Sequence, residues 1–160
     1  MRCVRRWRLT NKRSRTPKPN RAVTVSTRTK NHLAILYGLP FVWVGIMHFV
    51  NPAVFEPIVP SYLGVPRFWV LLTGFTEIGV ALGIMWPTTR RLACVLMIVQ
   101  LLLLYLANLN MWWNDIPFDG VSLGTTGHLI RMAVQVLLIA LAMMIGGLRP
   151  FGEAEQAKDA

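Results

Sequence analysis

Glu77 stands at the middle of an unbroken 19-residue apolar run from Phe68 to Trp86, and no other carboxylate interrupts any of the four such runs in the chain. Insertion scales put a charge at a helix centre at roughly +3 kcal/mol, while each Leu, Ile, Phe or Val returns about 0.3–0.6 kcal/mol. The nine such residues here return roughly 4 kcal/mol, so the segment still favours lipid by a small margin. An acid kept at that depth is either a proton-exchanging group or half of an ion pair that fixes helix register. His128, Arg131 and Gln135 follow one another at helical spacing and form a single stripe, with Arg131 the natural partner for Glu77. Counting down from Phe68 and His128, the rise per residue puts Glu77 about 13 Å deep, the Arg131 backbone about 5 Å and Gln135 about 10 Å, so Gln135 is expected to bridge the two charges. His48, Asn108 and Asn110 fall at the same end of their own runs. Together, Glu77, His48 and Arg131 offer proton exchange and a cationic pole, with Asn108 and Gln135 as hydrogen-bonding groups for a bound headgroup. The plainer alternative for His48, His128, Arg131 and the asparagines is snorkelling or helix capping.

These residues must be held by apolar helices. The chain has 160 residues, of which 54% are hydrophobic, which fits a polytopic membrane protein better than a soluble domain. Length and breakers place spans at 32–50, 68–86, 92–111 and 128–148, giving an all-α, four-helix integral membrane bundle in one domain. No period-two alternation supports a membrane barrel. Of the 17 Lys and Arg residues, 11 lie in the first 30 positions, where there is no acid; six basic and seven acidic residues remain beyond them. Residues 1–31 therefore read as a disordered basic arm suited to anionic lipid headgroups, and 149–160 as a short polar tail. No nucleic-acid partner is expected, because no aromatic interleaving or binding fold accompanies the charge; an over-extended start is a further reading of the arm. Positive residues stay in the cytoplasm, so the arm, Arg90-Arg91 and Arg149 put both termini inside, and the loops holding Glu56 and Asp115/Asp119 outside.

Four prolines between Pro52 and Pro66 forbid a regular helix in the first outer loop, whose apolar side chains are expected to lie at the interface or fold back over the bundle's mouth. Gly79 and Gly83 form a GxxxG pair and predict a close helix contact on the face opposite Glu77; Gln100 predicts an interhelical hydrogen bond. The methionines and the 101–104 leucine run read as packing or lipid-facing residues. Cys3 and Cys94 are far apart and offer no disulfide, CxxC pair or metal cluster.

The ordered set Gly45-x-x-His48-Phe49-x-x-Pro52-x-x-Phe55-x-x-Ile58-Val59-Pro60, then Thr73-Gly74-x-x-Glu77-Ile78, Pro87-x-x-Arg90-Arg91-x-Ala93 and Ala107-Asn108-x-x-Met111, resembles the small DoxX-like membrane proteins. The resemblance covers about 32–148; Arg131 and Gln135 persist in the last span, where Ala133 stands at a place the family often gives to proline. It implies a four-helix inner-membrane bundle, in some relatives a subunit associated with thiosulfate oxidation by quinone, in others a protein linked to redox stress or partner assembly. The chain has no redox cysteine pair, haem motif or flavin fingerprint, so electron transfer would use a bound quinone or the cofactor of a redox partner protein. Two functions stand: a quinone-linked redox membrane subunit, and a non-catalytic scaffold or assembly factor in which the same residues only hold the bundle together.

Overall fold

Leu, Met and Ala, which lose little side-chain freedom in a helix, make up more than half of the third and fourth apolar runs, and the backbone polar groups pair within each run. The computed structural model describes residues 27–148 and gives four long helices, α1 (Thr27–Val50), α2 (Pro66–Met85), α3 (Arg90–Trp113) and α4 (Gly124–Gly146). All four are long and apolar enough to cross a membrane. The arm before residue 27 and the tail after 148 lie outside the described residues. Helix α1 starts at Thr27, so residues 27–31, expected in the arm, are helical instead. The ends follow local chemistry. Pro66 opens α2 at a position where its missing N–H is no loss, and Gly147, at φ 63°, closes α4 in the left-handed conformation. Arg90 is buried and donates from Nε to the Ile84 carbonyl at 2.9 Å, so this cation caps the carbonyl end of α2. Helix α4 passes through Ala133 without a break.

The helices run alternately up and down, which brings the 51–65 and 114–123 loops to one end. The first loop, as its prolines require, contains no α-helix and folds into three single 3-10 turns, Pro52–Val54, Glu56–Ile58 and Ser61–Leu63. It folds back over the bundle: Pro52 and Pro60 are buried, and Asn110 Nδ2 donates to the Ile58 carbonyl at 3.3 Å. In the second loop Phe118 and Val121 exchange backbone hydrogen bonds around Asp119 and Gly120, both at positive φ, a tight two-residue turn that fixes the Phe118 ring. At the opposite end lies the apolar core, with Ala34, Tyr37, Phe41, Ala81, Ile84, Cys94, Met97 and Ala142 buried together. The outward faces carry exposed Leu36, Trp43, Phe75, Leu103 and Ile130.

Packing is uneven around the bundle. Helix α1 lies tightly on α2, and α3 on α4, while α1 and α4 barely touch and are tied by the Tyr37 hydroxyl donating to the Leu138 carbonyl at 3.0 Å. The tight α1/α2 contact runs through Gly38, Gly45 and Gly74 and not through the expected GxxxG pair. A Cβ on Gly74 would lie 2.6 Å from His48 Cβ and 3.0 Å from the Gly45 carbonyl oxygen, whereas one on Gly79 would meet nothing within 4 Å. A Cβ on Gly83 would lie 3.0 Å from Ala93 Cβ, a close approach of α2 to α3, so of the expected pair Gly83 is tightly packed and Gly79 is open. Gly74→Val should therefore destabilise the bundle by about 1–3 kcal/mol through overpacking. Gly79→Ala should gain about 0.5–1 kcal/mol from helix propensity. Thermal unfolding in detergent compares them, and equal losses at both positions would return the close contact to the GxxxG face.

Candidate functional site

Close packing at Gly45 and Gly74 sets His48, three residues beyond Gly45, directly above Glu77, three residues beyond Gly74. The imidazole Nδ1 lies 3.7 Å from Glu77 Oε2, and both side chains are buried. Nδ1 also lies 2.8 Å from the Val44 carbonyl oxygen, which can only accept, so Nδ1 carries a hydrogen and Nε2 is the free nitrogen of the neutral ring. Phe55 from the first loop stacks on the imidazole at 3.9 Å between ring centroids and closes the site from the two-loop end. His48 is thus an interior residue and not a snorkelling one.

Glu77 also faces sideways. Among the described residues it is the single charged one lining a cleft of about 440 Å³ between α1 and α4, whose other walls include Leu33, Tyr37, Phe41, Val44, Leu138 and Ile145. The carboxylate makes no hydrogen bond among the described residues, so its free oxygen is available to whatever enters the cleft.

Arg131 does not meet Glu77. Its Nη2 donates to Asn108 Oδ1 at 2.8 Å, its Nη1 to Met111 Sδ at 3.1 Å, and its guanidinium lies 5.4 Å from the centroid of the Phe118 ring. Asn108 Nδ2 in turn donates to Gln135 Oε1 at 2.6 Å, and Gln135 Nε2 to the Leu101 carbonyl. Gln135 therefore bridges, as expected of it, but from Asn108 to the α3 backbone and not from Arg131 to Glu77. The expected pairing fails because α3 presents Asn108 and Met111 to the guanidinium first, while α1 presents His48 to the carboxylate. Two polar groups result, one on α1/α2 and one on α3/α4. Phe55 and Phe118, in edge contact at 5.8 Å, stand between them.

The remaining polar residues sort as follows. Gln100 makes the expected interhelical bond, donating to the Thr73 carbonyl at 3.3 Å. His128 is buried at 3% exposure and stacks on Trp112 at 5.9 Å, so it does not reach outward. Met111, read from sequence as packing alone, is a sulfur acceptor for Arg131, and Phe55 and Phe118 were not singled out as site residues at all. A phenylalanine in a loop carries no periodic signal that would have marked either one. Among the described residues no cluster of His, Cys, Asp or Glu could hold a metal ion.

An all-α bundle with an interior carboxylate–imidazole pair opening on an apolar cleft is the class of protein that fold and site define. The chain belongs to the family described as a domain of unknown function, DUF8561, which matches residues 37–146 and so takes in the site and most of all four helices. Neither a curated protein nor a solved structure matches it.

Double-mutant cycles test the two-group geometry. Glu77→Gln and His48→Gln should show a coupling of at least about 0.5 kcal/mol, whereas Glu77→Gln and Arg131→Gln should add to within about 0.5 kcal/mol. Strong coupling between Glu77 and Arg131 in detergent melts would overturn the separation.

Proposed function

We propose that this protein is a DoxX-like integral membrane protein of the cytoplasmic membrane and serves there as a quinone-linked redox subunit. The observation that carries the reading is the position of Glu77, which lines the α1/α4 cleft while facing His48. The cleft suits the group: its largely apolar walls match a ring with a prenyl tail, and the Glu77 carboxyl matches the oxygen at one end of that ring. The sparse α1/α4 contact supports entry from the side, as a lipid-soluble molecule requires.

A bound quinone supplies the two-electron couple, taking two electrons and two protons on reduction to the quinol. The electrons are those of a redox partner protein. Glu77 holds a proton at the carboxylate that lines the cleft, and His48 is the group beside it that can restore one. The 3.7 Å between Nδ1 and Oε2 is longer than a hydrogen bond, so transfer between them needs a small side-chain movement or one bridging water. Phe55 and the apolar cleft walls keep bulk water from this exchange. Arg131, in the other polar group, is not part of this step.

The alternative is a scaffold or assembly factor, and the same open seam favours it: a partner's helix could cover the gap between α1 and α4. Glu77→Gln separates the two, since it keeps the size and one acceptor oxygen but cannot titrate. The variant should insert and localise normally, yet fail to restore the redox phenotype of a deletion strain, such as growth on reduced sulfur or resistance to oxidants, and quinone should still extract with the purified protein. Full rescue by well-expressed Glu77→Gln would remove the redox reading and favour the scaffold.

Both termini are proposed to be cytoplasmic, on the strength of Arg90 and Arg91 at one end of the bundle and the acidic 114–123 loop at the other. In a background lacking Cys3 and Cys94, single cysteines at Ser61 and Ser122 should react with an impermeant thiol reagent on intact cells. A cysteine at Thr88 should not, and labelling there would reverse the orientation.

A further inference from the structure

The α3/α4 seam holds a charge that the Glu77 site does not use. Arg131 is half-buried, and its three contacts, the Asn108 oxygen, the Met111 sulfur and the Phe118 ring, are all neutral. Among the described residues the ion pairs are His48–Glu77 and Arg67–Glu56, and neither involves it. A guanidinium carries five N–H donors and two are engaged here, which leaves three. A second, independent observation lies one turn nearer the loops on the same face of α4: His128 is 3% exposed, and its Nε2 is buried without a hydrogen-bond partner. The two side chains lean on adjacent residues of α3, His128 on Trp112 and Arg131 on Met111. A cation without a counter-charge and an orphaned buried nitrogen are each costly alone, and one anion resolves both.

We propose that this seam is an oxyanion site of the phosphate type, with Arg131 and His128 as its donors. Their backbones differ in height by about 4.5 Å, a span that two oxygens of one tetrahedral anion bridge with a hydrogen bond at each end. The spare guanidinium N–H groups take one edge of the anion, and His128, with its hydrogen on Nε2, takes another oxygen. The chemistry is shared by free phosphate and by the phosphodiester of a lipid headgroup, and the site's place near the two-loop end makes both reachable. The inference is independent of the role given to Glu77.

The test uses the full chain purified in an uncharged detergent. Inorganic phosphate is titrated against chloride at equal ionic strength, with the melting temperature as readout, because a ligand bound only to the folded state raises it. Separately, retention of phosphatidylglycerol is compared with that of diacylglycerol, which lacks the phosphate, by native mass spectrometry. A rise with phosphate that weakens about tenfold or more in Arg131→Gln, and less in His128→Gln, identifies a free-anion site. Retention of one phosphatidylglycerol per chain without a phosphate response, lost in Arg131→Gln, identifies a headgroup site. Arg67→Gln, at an exposed ion pair, should change neither readout. Should Arg131→Gln not fold, Arg131→Lys keeps the charge without the fork and should bind several-fold more weakly than wild type. Absence of both signals in wild type, or equal signals in wild type and the Arg131 variant that folds, overturns the proposal.

Discussion

The contact of α1 with α2 at Gly45 and Gly74 is the constraint from which the rest of the site follows. Each glycine lets the other helix's backbone come within van der Waals range, since a Cβ on either would lie 3.0 Å from the carbonyl oxygen of the other. At that separation the His48 Cβ packs on Gly74 and its imidazole lies beside Glu77, where Phe55 stacks on it. A wider α1/α2 spacing would leave the carboxylate facing an apolar neighbour without any polar companion, which is the most costly arrangement for a charge in a low-dielectric interior.

The same close approach explains the cleft. With α1 drawn to α2, and α3 drawn to α4 through the Arg131–Asn108–Gln135 chain, the bundle is effectively two helix pairs, joined along α2/α3 and open along α1/α4. The opening falls where Glu77 reaches the surface of its own helix pair, so one packing choice creates both the pairing of the carboxylate and its access. Tyr37, bonded to the Leu138 carbonyl, is the one side-chain hydrogen bond across that opening among the described residues.

Keeping acid and guanidinium apart has its own chemical meaning. A direct Glu77–Arg131 pair would cancel both charges and leave little for a ligand to meet. Partnered instead by an imidazole, the carboxylate stays beside a group that can exchange a proton, and the guanidinium keeps donors to spare. Phe55 and Phe118, held by proline-stiffened turns and by a tight positive-φ turn, form the apolar partition between them. Loop chemistry thus decides the electrostatics of the interior.

Helix number and the gathering of polar residues toward one end were legible in the sequence, because apolar run length leaves little freedom in how many long helices form, whereas the starts were not: α1 begins at Thr27 and α4 at Gly124, ahead of the runs at 32 and 128. The face of α2 that holds Thr73, Gly74, Glu77 and Ala81 was also readable from spacing alone; the last three are buried and Thr73 is half-buried. Which polar group meets which was not. Depth along a helix axis says nothing of rotation or of lateral neighbour, so Arg131 and Glu77, expected within reach of each other, belong to different helix pairs, and Asn108 on α3 captured the guanidinium. The glycines show the same limit: the GxxxG spacing of Gly79 and Gly83 is a local pattern, while the contact that matters joins Gly45 and Gly74 from two helices. Spacing within one helix is set by covalent geometry; spacing between helices is set by what the tertiary structure packs between them.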